Sequence, residues 1–170
     1  MQVARQRVWL VIMDDKTLRN ELIALLEGGN AHSSSVKALK GVNPDIRTVR
    51  PEGMTHSVWE LLEHARLSQQ DILNYTLDPG WKSPDWPEGY WPANPRTLEN
   101  KAWNQARSEF LSDLQKVIEL VRDPGRDLTA RIPHGADHTY LREVLLVADH
   151  NAYHLGQIVQ VRKALGDWDS

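Results

Sequence analysis

The chain has 170 residues, enough for one domain with a sizeable core, and 41% of them are hydrophobic. Twenty Lys plus Arg stand against 23 Asp plus Glu, a net charge of −3 without any basic run, so the chain carries no electrostatic footprint for nucleic acid. Cysteine is absent, which excludes disulfides, thiolate metal ligation and a cysteine nucleophile, and fits a reducing, cytoplasmic location.

Residues 8–13 follow Arg5 and Arg7, but the apolar run is too short for a signal peptide and lacks a cleavage site. No stretch approaches the roughly 20 apolar residues of a membrane span. Asp14-Asp15-Lys16 reads as the opening of a first helix, so residues 1–12 are expected to be an extension ahead of one domain at 13–166. Leu18, Leu22, Leu25 and Leu26 form the apolar stripe of that helix, and Gly28-Gly29 stops it. A short helical piece is expected near 33–40, followed by a link punctuated by Pro44, Pro51 and Gly53.

Ser57-Val58-Trp59-Glu60 is a capping box that opens the second helix. Its core face continues through Leu61, Leu62, Ala65, Ile72 and Leu73. Residues 78–95 contain Pro79, Pro84, Pro87, Pro92 and Pro95 together with Trp81, Trp86 and Trp91, so they form a long connection rather than a helix. Its indoles are expected to pack on the bundle or on a second subunit, with walling of a cavity as the alternative. A third helix is expected over 95–121, with Asn94 as its cap and Pro95 at its first position. The fourth runs over 139–165, with Gly166 as a plausible stop. Four periodic segments and no strand pattern predict an all-α four-helix bundle.

Among seven histidines, His150 and His154 are four residues apart in the fourth helix, which stacks their rings one turn apart on one face. Chance alone yields roughly a quarter of one such pair. His134 and His138 share the spacing, but Pro133 and Gly135 argue against a helix there. Val147, His150, His154, Ile158 and Val161 form one strip, so the two imidazoles need partners, either hydrogen bonds or a shared metal ion. A third ligand must come from another helix, and His64 inside the second helix is the best placed. His56 reads as a loop residue before the capping box, and His32 as a capping or packing residue of the short segment after it.

The order Ser57-Val58-Trp59-Glu60-Leu61-Leu62-Glu63-His64, then Ala148-Asp149-His150-Asn151-Ala152-Tyr153-His154-Leu155-Gly156-Gln157, resembles the DinB-like superfamily. Trp86-Pro87-Glu88-Gly89-Tyr90 is similar to a segment of one of its subgroups. The resemblance implies an up-down-down-up bundle of DinB/YfiT type. It also implies a divalent metal held by three histidines, which carry over to His64, His150 and His154. Where many members have a second histidine before the last ligand, this chain has Tyr153.

Three imidazoles leave coordination positions open, the pattern of catalytic rather than structural zinc sites. Zinc or nickel suits them best, and iron or manganese is compatible. Asp71, Asp149 and Gln157 are candidates to orient the rings. The resemblance implies a metal-dependent enzyme of thiol-dependent transferase or hydrolase type, with a low-molecular-weight thiol or another small molecule as partner. A homodimer also fits. The alternative is a non-enzymatic metal-binding or stress-associated bundle whose site is structural or vestigial. No catalytic side chain beyond the ligands stands out, and no glycine-rich phosphate loop is present.

Overall fold

The computed structural model describes residues 14–168, so the expected extension at 1–12 lies outside the described residues. Five α-helices form among them: α1 (Asp15–Glu27), α2 (Ser35–Leu39), α3 (Val58–Leu77), α4 (Asn100–Arg122) and α5 (Tyr140–Ala164). The β pairing among the described residues is one isolated bridge between Arg131 and Thr139. None of the described helices is long and apolar enough to cross a membrane.

Local chemistry sets most boundaries. Asp14 caps α1 by accepting from the Thr17 amide, and Gly28 ends it at φ 68°, a backbone that glycine adopts freely. Ser34, rather than His32, caps α2; His32 is exposed. The capping box of α3 is complete: the Glu60 amide donates to Ser57 Oγ at 3.3 Å, and the Ser57 amide donates to Glu60 Oε2 at 2.9 Å. Thr139 caps α5 through the Arg142 amide.

The start of α4 differs from the expectation. The helix begins at Asn100 after Glu99, not at Pro95 after Asn94. Asn94 is engaged elsewhere: its Nδ2 donates to the Thr48 carbonyl at 3.1 Å and its Oδ1 accepts from Ser57 Oγ at 3.1 Å. A side chain tied to two other segments is not free to cap the amides that follow it.

Residue pairings give the directions. Leu61 faces Val161, Gln69 bonds Asn151, and Ile72 lies with Val144, so α3 and α5 are antiparallel. Arg66 pairs with Glu109, Gln69 with the Phe110 carbonyl, and Leu73 lies with Val117, so α3 and α4 run the same way. Arg19 donates to the Arg126 carbonyl, and Arg126 in turn covers the Tyr140 ring at the start of α5. Leu26 lies beside Ala148 and Asn151, so α1 runs parallel to α5. The bundle is up-down-down-up.

Two apolar clusters occupy its interior. One gathers Val58, Leu62, Phe110 and Ile158; the other gathers Leu22, Leu73, Val121 and Val147. Between them runs a polar layer. Gln69, fully buried, donates to the Phe110 carbonyl at 2.8 Å and accepts from Asn151 Nδ2 at 2.7 Å. One carboxamide thereby joins α3, α4 and α5. Gln69→Leu strands the Asn151 amide in an apolar setting and should destabilise the fold by about 1–3 kcal/mol. Urea denaturation checks this; an unchanged midpoint would show that the layer does not hold the helices together.

Candidate metal centre

Helical register assembles the site. His150 and His154 lie one turn apart on α5 and face α3, where His64 is one turn beyond Glu60. One ring nitrogen from each of the three lies within 4.8 Å of the other two. Ring centroids are 4.4 Å apart for His150 and His154, 4.5 Å for His64 and His154, and 5.1 Å for His64 and His150. A tetrahedral ion with metal–nitrogen bonds of about 2.0–2.1 Å sets its ligands about 3.3 Å apart, inside that bound.

Hydrogen bonds orient two of the rings. His64 Nδ1 lies 2.8 Å from the Tyr90 carbonyl, which can only accept, so this nitrogen carries the proton and Nε2 is free to bind. His154 Nδ1 makes the same kind of bond to Gln157 Oε1 at 2.8 Å. His150 Nδ1 is buried and has no hydrogen-bond partner among the described residues. An unsatisfied buried ring nitrogen calls for a bond, and a shared ion is a partner that supplies one. The donor set therefore fits a divalent metal.

The connection between α3 and α4 walls this site. Trp91 stacks on His64 with ring centroids 3.9 Å apart and planes 3° apart, and also stacks on His56 at 4.2 Å. Asp71 stands one step back, accepting from Trp81 Nε1 and Tyr90 Oη at 2.7 Å each. Burial, with Asp71 beside it, pushes the Tyr90 phenol up to about 12, so it remains a donor. Of the three polar residues expected around the ligands, Gln157 touches one directly and Asp71 acts through Tyr90, while Asp149 is exposed. The Tyr90 carbonyl was not foreseen, while the Trp91 indole follows the alternative course for this segment, walling a cavity. A backbone carbonyl carries no sequence signature, and the only signal was the aromatic density of the segment.

The other histidine pair stays apart from the site and outside any helix. His134 Nε2 bonds the Tyr75 carbonyl at 2.7 Å, and His138 pairs with the buried Glu143 at 2.9 Å.

A sequence model of the DinB superfamily matches residues 30–158, well over half of the chain and including all three histidines. The chain belongs to the DinB superfamily. No curated protein and no solved structure matches it.

The imidazoles are held neutral. Burial, then the nearby His154 and His64, lowers His150 to about 4. Burial, then His64, lowers His154 to about 4, and burial likewise lowers His64. Neutral imidazole is the form that binds metal. For a base whose pKa is depressed by folding, the unfolded chain binds more protons between the two values. The stability that these rings allow is thus full above about pH 6.5 and lost as pH falls toward about 4. The metal-free protein should therefore melt at progressively lower temperature over that window, and His150→Gln should flatten the slope. An equal slope in the variant would place the acid sensitivity elsewhere.

Proposed function

We propose that the protein is a metal-dependent enzyme in which His64, His150 and His154 hold one divalent ion, with zinc or nickel the best suited. The observation that carries the reading is the convergence of three imidazoles, two of them with Nδ1 already committed to an acceptor. No carboxylate joins the trio among the described residues. Three protein ligands correspond to an open, catalytic coordination pattern rather than a closed structural one. A bound ion would supply a Lewis-acidic centre with positions left for a small molecule.

The residues of the chain have definite tasks in that reading. Tyr90, through its carbonyl, and Gln157, through its side chain, fix the orientation of His64 and His154. Trp91 covers one face of the His64 ring, and buried Leu155 and Ile158 close the inner side of α5. We infer a thiol-dependent transfer or a hydrolysis as the reaction, with a low-molecular-weight thiol as a cosubstrate that a reducing cytoplasm supplies.

Protein purified without a histidine tag should carry about one ion per chain by elemental analysis, and His150→Ala should carry none above background. Equal metal in both would sink the reading. Gln157→Ala should weaken affinity by about 10–100-fold while leaving the fold intact, because it frees the His154 ring to turn. Metal titrations followed by competition with a chelator measure this. Turnover of an electrophile with a thiol, or of an ester, by the loaded protein tests the enzymatic step; a metal whose removal only lowers the melting temperature would make the site structural.

A further inference from the structure

Gly156 lies inside α5, two residues after His154, where glycine destabilises a helix by about 1 kcal/mol relative to alanine. Nothing in the fold asks for it. Its φ is not positive, and a Cβ built there would meet no atom within 4 Å. The bare backbone instead faces open space on an exposed part of the helix.

Gly156 borders a smaller cleft of about 270 Å³ toward Lys163 and Trp168, and it lines a larger one of about 420 Å³ between α5 and the segment before α3. A volume of this order suits a small molecule. Leu61, Met54 and Val161 give it an apolar side, and Thr55, Gln157 and Gln160 offer amide and hydroxyl groups. No Asp, Glu, Lys or Arg lines it, although a quarter of the chain is charged. The lining itself thus offers an ionic ligand no side chain of opposite charge.

The cleft also touches the residues that hold the candidate metal centre. Gln157 on its wall accepts from His154 with Oε1, which leaves its amide protons for an occupant. His56, also on the wall, stacks on the same Trp91 that covers His64. Tyr153 stands exposed at the cleft, its ring edge-on to His154 at 4.9 Å.

We propose that this cleft is the substrate site, that it takes an uncharged small molecule with an apolar portion and an amide or hydroxyl group, and that position 156 is glycine because the ligand lies against bare helix backbone. The word substrate rests on the metal-enzyme reading; the binding itself does not, and the test separates the two. Isotope-labelled protein, metal-free and zinc-loaded, is titrated with hexanamide, hexanoate and hexylammonium, which share a chain length and differ in charge. Backbone amide signals report the contact. In the metal-free protein, where no ion can take the carboxylate, hexanamide should move the signals of Thr55, Gly156 and Gln160 and bind at least about tenfold more tightly than either ion.

Gly156→Leu should melt about 2–4 °C higher and lose the hexanamide response about tenfold or more. Gln160→Glu should weaken hexanamide and favour hexylammonium. Equal binding of the three probes by the metal-free protein, or unchanged hexanamide binding by a folded Gly156→Leu, would overturn the proposal. So would a Gly156→Leu variant that turns a dimer into a monomer in sedimentation yet still binds hexanamide, since the bare strip would then seat a second copy. Hexanamide binding by a wild type that holds no more metal than His150→Ala would keep the cleft and sink the metal reading.

Discussion

Two neighbouring helices that run the same way cannot be joined by a short turn. α3 has 20 residues, a rise of about 30 Å, and the chain must return along that length before α4 can begin. Most of the connection does this as an extended strap laid against α3. Trp81 and Tyr90 bond Asp71, the Tyr90 carbonyl meets His64, the Ala93 carbonyl accepts from Trp59, and Asn94 meets Ser57. Each step along the strap is a step back toward the start of the helix. The orientation of His64 is therefore a by-product of topology: the strap has to pass it, and in passing supplies a carbonyl to one edge of the ring and an indole to its face. Prolines suit this path because a strap bonded mainly through side chains and carbonyls needs few amide donors.

The second organising fact is the polar layer between two apolar clusters. Asn151 Nδ2 donates to Gln69 Oε1 there, while His64, His150 and His154 crowd together with few partners beyond their orienting bonds. Burial that would be a liability for a charged ring keeps these rings neutral, and neutrality is what a metal ligand needs. The same desolvation thus ties acid sensitivity to binding competence. The two clusters also fix the helix spacing on either side of the layer, so the imidazoles are presented by rigid backbone rather than by loops.

Much of this was legible beforehand, for identifiable reasons. Helical periodicity, the Ser57–Glu60 box and Gly28 are local signals, and the boundaries that they mark agree with the structure. The strip of Val147, His150, His154, Ile158 and Val161 turns inward because apolar neighbours at helical spacing leave the imidazoles no other direction. Pro133 and Gly135 correctly argued that the His134 and His138 spacing has no helical meaning. The start of α4 was misplaced because Asn94-Pro95 has the local form of a cap while its side chain is drawn away by Ser57 and Thr48.

The sequence by itself determined the bundle and the His150–His154 pair, since both follow from residue types at fixed spacing within single helices. His64 joined them as the best-placed histidine of another helix and through the family resemblance. Only the tertiary structure decided what surrounds them. That His64 is held by a carbonyl 26 residues away, that Trp91 bridges His56 and His64, and that Gly156 opens on an uncharged cleft all depend on how separate segments meet. Such contacts arise from the path the strap is forced to take between parallel helices, and a path through space has no period along the chain.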